Sequence, residues 1–146
     1  MKIAISSDHG GNYLRQEIIQ LLEELGLSYE DFGPNSNDSV DYPDFAMPVA
    51  EGVANGNFDR GILICGTGIG MSIAANKVKG IRCALVHDVF SAKATRSHND
   101  SNIIAMGERV IGPGHAREIV STWLAQDFEG GRHTRRVEKI SEIENA

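Results

Sequence analysis

The sequence predicts an α/β fold in which a parallel sheet is covered on both faces by helices, all in one domain spanning residues 1–146. Three observations carry this expectation. Five short strand-like runs alternate with stretches of helical periodicity. One of them, Ile62-Leu63-Ile64, is apolar without interruption, as a strand buried on both faces must be. That run opens straight into Cys65-Gly66-Thr67-Gly68-Ile69-Gly70 and then a helix-like segment, the strand–loop–helix order of a parallel unit.

Taken in order, Lys2–Ser7 reads as the first strand, followed by the polar turn Asp8-His9-Gly10-Gly11. Tyr13-Leu14, Ile18-Ile19, Leu21-Leu22 and Leu25 recur at helical spacing, and Gly26 stops that helix. Leu27–Phe32 is a second, weaker strand because it carries Glu30 and Asp31. Gly33–Pro43 is a long loop of turn-forming residues, of the length that often serves a function. A helix is expected over Asp44–Asn55, with Pro48 better suited to a first turn than to an interior. The third strand leads through the glycine loop into a helix from Met71 to Val78. Arg82–Val86 is the fourth strand, and Val89–Arg96 its helix. Ser97-His98-Asn99-Asp100 reads as a polar loop, and Asn102–Met106 as the fifth strand. Helices then follow over His115–Gln126 and about residues 133–144, the last with Val137, Ile140 and Ile143 on one face.

Composition narrows the function. The chain has 146 residues, 41% hydrophobic and 23% charged, ordinary for a globular domain with a substantial core. A net charge of −6 argues against a nucleic-acid binder. No apolar run approaches the roughly 18 residues of a membrane span. The first strand begins at once, with no leader pattern, so a cytoplasmic protein with free thiols at Cys65 and Cys83 is expected.

The glycine loop is the sharpest chemical feature. Ligands of parallel sheets bind beyond the C-terminal strand ends, which gathers Asp8, His9, Cys65–Gly70 and Arg109 on one rim. The loop is not a dinucleotide fingerprint, which would need Gly where Met71 or Ile73 stands, nor a P-loop. A thiol at such a turn is more available as thiolate; a buried structural cysteine is the alternative reading. His9 and His98 each sit beside an acid, as acid–base groups or as plain surface histidines. No pair of residues has metal-ligand spacing, and no metal is expected. Arg132, His133, Arg135 and Arg136 open a helix against its macrodipole, which suggests an anion such as a phosphate; a solvated charge run is the alternative. His98 precedes the fifth strand, so one chain alone would leave it on the opposite rim.

Several motifs in order resemble the type B ribose-5-phosphate isomerase family: SSDHGG at Ser6–Gly11, DYPD at Asp41–Asp44, GILICGTGIGMSIAANK at Gly61–Lys77, SHNDSN at Ser97–Asn102, GERVIG at Gly107–Gly112 and EGGRH at Glu129–His133. The resemblance covers nearly the whole chain. It implies a three-layer αβα sandwich with a five-stranded, Rossmann-like parallel sheet of order 2-1-3-5-4. It also implies cofactor-free interconversion of ribose 5-phosphate and ribulose 5-phosphate. Carried over, Cys65 would be the base that moves a proton between C2 and C1. Thr67 and the backbone of Gly66, Gly68, Ile69 and Gly70 would stabilise the enediolate. His98 would open the sugar ring, and Asn99 would hold a sugar oxygen. Asp8, His9 and Tyr42 would line the pocket, and Arg109, Arg132 and Arg136 would grip the phosphate. The family implies a homodimer or dimer of dimers with sites between subunits and the last helix packed on a partner. One branch uses a glutamate at the position of Met71; methionine cannot be a base, which leaves Cys65. Related galactose-6-phosphate isomerases divide these residues between two different chains, whereas this one holds Cys65, His98 and Arg132 together.

Two other classes stand beside this reading. A sugar-phosphate sensor would not need thiol, imidazole and phosphate clamp together. A cysteine phosphatase would need Arg where Met71 stands.

Overall fold

A computed structural model describes all of residues 1–146. The strands are β1 (Lys2–Ser7), β2 (Ser28–Asp31), β3 (Arg60–Cys65), β4 (Cys83–Leu85) and β5 (Ile103–Gly107). They form one parallel sheet in the order β2-β1-β3-β5-β4, as the resemblance implies. The helices are α1 (Asn12–Glu24), α2 (Tyr42–Ala54), α3 (Ile69–Ala75), α4 (Val89–Asn99), α5 (Pro113–Ala125) and α6 (Arg132–Glu144).

Successive strand residues point to opposite faces, so each central strand serves two cores. Ile62 and Ile64 of β3 join Ile3, Ile5, Ile104 and Met106 against α1 and α5. Leu63 and Cys65 join Ala4, Ile103 and Ala105 against α2 and α3. This alternation faces the Cys65 side chain toward α2 and α3. Apolar burial of this kind contributes about 1.5–3 kcal/mol for each large aliphatic side chain, which lets the sheet tolerate a weak edge such as β2, where three of four residues are exposed.

Three differences from the sequence expectation have an identifiable cause in the structure. The second helix begins at Tyr42, two residues earlier than expected, with Pro43 in its first turn and Pro48 inside. Burial of Ala46, Val49, Ala50 and Val53 on either side of Pro48 offsets the hydrogen bond the proline cannot make. The helix after the glycine loop ends at Ala75 rather than Val78. There the Asn76 side chain turns to bond both backbone groups of Cys83, at 2.8 and 2.9 Å, and so caps the edge strand β4. The expected loop at residues 97–100 is instead the end of α4, with Asp100 as a left-handed cap at φ 49°. Arg96 holds this end, donating to Asp100 Oδ1 at 2.9 Å and to the Ser101 carbonyl at 2.6 Å.

The last helix stands apart from the sheet. It packs chiefly on α4, and His133 is its only buried residue. Ile143 is 76% exposed, beside an open groove of about 500 Å³ that Ile140 and Ile143 share with Ile81, Cys83 and Ala84 next to β4. No helix is long and apolar enough to cross a membrane.

The larger core closes around Trp123, which is fully buried, donates to Ser101 Oγ at 2.9 Å and lies 5.2 Å from the Arg60 guanidinium. Trp123→Ala is expected to cost about 3–5 kcal/mol, read as the shift in a denaturant midpoint at fixed protein concentration. A loss under about 1 kcal/mol would contradict this account of the core.

Candidate active site

The chain leaves β3 at Cys65 and must turn at once to enter α3. Gly68 makes that turn in the left-handed region, at φ +78°, where L side chains are strained. The turn aims the Gly68 N–H back at Cys65 Sγ, 3.0 Å away. Thr67 Oγ1 accepts from the Ile69 N–H at 3.3 Å, and both residues are exposed at the rim. Cys65 itself is 5% exposed, so its sulfur is nearly enclosed. α3 is only seven residues long; the loop amides, more than a macrodipole, supply the positive potential here.

Three other segments close on this loop. Asp8, almost buried, accepts the Gly10 N–H at 2.9 Å, and this turn packs on Gly66. His9 Nδ1 accepts from the Val40 N–H at 3.1 Å, which ties the long loop before α2 to the same rim. Tyr42 lays its ring across Gly70, where an added Cβ would meet it at 2.6 Å. The Arg109 side chain covers Gly66, and the Arg109 N–H bonds the Gly66 carbonyl at 3.1 Å. Asp8, His9, Tyr42, Cys65–Gly70 and Arg109 thus gather on one rim, one half of the candidate site.

His98, Asn99, Arg132 and Arg136 are not part of it. Cys65 pairs with Gly107 and Gly61 with Ile103, so β5 starts level with Gly61. That is about 13 Å below Cys65 at roughly 3.3 Å per residue, and His98 and Asn99 lie before that start. The His98 ring stacks on His133 with centroids 4.3 Å apart and 14° between planes. His133 also approaches Glu129, at 3.4 Å, and the Arg132 Nε, at 3.5 Å. The Glu129 N–H bonds the Ser97 carbonyl at 3.0 Å and ties the Glu129–Gly131 approach to the end of α4.

The sequence offers His133 only as a member of the basic cluster that opens the last helix, with the EGGRH motif as its one further signal. The fold also brings His98, Glu129 and His133 ligand atoms within 4.8 Å, a grouping that sequence spacing does not announce. Burial, with His98 and Arg132 beside it and Arg136 adding, pushes the His133 imidazole below the usual histidine range, while Glu129 opposes. The second cluster therefore sets two stacked imidazoles beside Arg132 and Glu129.

The two thiols differ sharply, and both are free. Burial pushes the Cys83 thiol up to about 12, a hydrogen bond with Ser72 opposing, so near neutral pH it is a poor nucleophile. Iodoacetamide at pH near 7 is expected to modify Cys65 first, read by peptide mass spectrometry. Faster labelling of Cys83 would contradict the assignment of Cys65 as the reactive thiol.

A family model for ribose/galactose isomerases matches residues 3–140. A Bacillus subtilis protein described as a candidate sugar phosphate isomerase is 67% identical over 145 residues, covering 99% of this chain and 97% of that protein. Ribose-5-phosphate isomerase B of Escherichia coli is 50% identical over 143 residues, covering 98% and 96%. The solved structure of Clostridium thermocellum ribose-5-phosphate isomerase B superposes with a TM-score of 0.98 at 56% identity, covering 99% of this chain and 98% of that one. With sequence matched over nearly the whole chain and a shared fold, the chain belongs to the ribose/galactose isomerase family.

Proposed function

We propose that this protein interconverts ribose 5-phosphate and ribulose 5-phosphate, working as a homodimer or dimer of dimers in the cytoplasm. The observation that carries the reading is the division of one chain into two half-sites on opposite rims. One holds a thiol among loop amides, and the other holds imidazoles among arginines. A second copy, related by a two-fold axis, can lay its cationic rim over the thiol of the first and receive the same in return. The exposed apolar edge of α6, Ile140 and Ile143, is where such a copy gains contact area.

In the open-chain aldose, Cys65 takes the proton from C2. The electron pair moves toward the C1 carbonyl and forms an enediolate. The amides of the Gly66–Gly70 loop and the Thr67 hydroxyl meet the negative charge that develops on the oxygens. Cys65 then returns the proton to C1 while the hydroxyl proton on O2 passes to O1, leaving the ketose at C2. No electrons are gained or lost, so no redox cofactor enters. Before this, His98 of the partner subunit acts on the ring oxygen and anomeric hydroxyl to open the furanose, with the partner's Asn99 holding a sugar oxygen. Asp8, His9 and Tyr42 position the sugar. Arg109 and the partner's Arg132 and Arg136 moor the phosphate, whose remote binding orients the reacting carbons.

The test is ketose formation from ribose 5-phosphate by purified protein with a chelator present. Cys65→Ala is expected to abolish isomerisation, and His98→Asn to slow it mainly on the cyclic sugar. Co-expressing the two variants provides the sharper experiment. Random pairing makes half the dimers mixed, each with one intact site, so about a quarter of wild-type activity returns. Mixed dimers as inactive as either parent would show that the two residues do not meet across an interface.

A further inference from the structure

His87 follows β4 and is unused by the chemistry above, yet it touches the strand that backs the catalytic loop. β4 ends at Leu85, opposite Ala105, and the Val86 N–H still bonds the Ala105 carbonyl at 3.0 Å. A parallel ladder would continue with the Gly107 N–H donating to the Val86 carbonyl. Instead the Gly107 N–H donates to His87 Nε2 at 2.9 Å. The imidazole therefore stands in for one rung of the sheet, with its own proton on Nδ1.

Gly107 is where the loop leans. An added Cβ there would lie 2.6 Å from Thr67 backbone atoms, so the two segments are in direct backbone contact. The next two residues continue it. Glu108 N–H donates to the Cys65 carbonyl at 2.9 Å, and Arg109 N–H to the Gly66 carbonyl at 3.1 Å. A shift of Gly107 would carry Thr67, the Cys65 carbonyl and Arg109 with it.

We propose that His87 is a positioning residue for isomerisation: as a neutral hydrogen-bond acceptor it fixes the end of β5, and through it the Cys65–Thr67 loop and Arg109. This rests on the reading of Cys65 and Arg109 given above. The charged groups facing the imidazole are Asp88, which caps α4, and His115 from the first turn of α5. Burial keeps His87 below the usual histidine range, Asp88 opposing and His115 adding, consistent with an acceptor role near pH 7. A proton on Nε2 would set two donors against each other. The sign follows: the folded state resists that proton, so the contact is intact above about pH 6.5, the ordinary histidine value, and is lost as pH falls through the lower folded value.

The test compares His87→Gln, whose amide oxygen can accept but not titrate, with His87→Leu, which cannot accept. In His87→Leu, kcat/KM is expected to fall roughly tenfold, and His87→Gln to recover most of it. The ratio of wild-type to His87→Gln activity should fall as pH drops from about 8 to about 5; taking the ratio cancels titrations that both enzymes share. A flat ratio would overturn the proposal. The Gly107 amide resonance and the rate of Cys65 alkylation, followed over the same pH range, need no sugar. If they track His87 in the wild type and not in His87→Gln, the positioning role holds even should the substrate be another. If neither responds, the positioning role fails whatever the substrate.

Discussion

The ladder of a parallel sheet makes all five strands share a direction, so the chain leaves every strand at one rim and enters every strand at the other. This polarity sorts the functional side chains before any chemistry begins. Residues that follow strands, from Asp8 through the glycine loop to Arg109, collect at the exit rim. Residues that precede β5, or that stack on them, collect at the entry rim. Within one chain the two sets stay apart, and the proposed pairing of two copies is what would bring them together.

At the exit rim, order comes from backbone packed on backbone. Gly68 and Gly107 let the loop and the end of β5 touch without intervening side chains. Amides then bond carbonyls across the gap, at Glu108 to Cys65 and Arg109 to Gly66. The amide pointing at the Cys65 sulfur is held by the same turn. Donors fixed in this way need no reorganisation when charge appears, which is what makes such a loop suited to an enediolate. At the entry rim, side chains do the corresponding job. His98 and His133 share one stack, and burial, with His98 and Arg132 beside it, holds the His133 imidazole below the usual histidine range.

The strand pattern, the helical periodicities and the glycine loop were legible because each rests on local spacing. Ile62-Leu63-Ile64 could hardly be anything but a buried strand, and Cys65 had to fall at its tip. The places where reading the chain fell short are those where long-range contacts overrode local composition. Ser97-His98-Asn99 look like loop residues, and they stay helical because Arg96 bonds Asp100 and Ser101 and because His133 arrives from α6 to stack on His98. The helix at α3 stops early because Asn76 is drawn to the open edge of β4. His133 and His87 carried no local signal for their contacts, since their partners lie 35 and 20 residues away.

The order of residues alone therefore determined the layer architecture, the identity of the loop and the thiol at its head, since these follow from periodicity, glycine placement and strand length. Only the tertiary structure decided which imidazole meets which, that the Arg109 side chain lies over Gly66, and that burial silences the Cys83 thiol. Those outcomes depend on distances between segments far apart in the chain, and such distances come into being only when the sheet assembles.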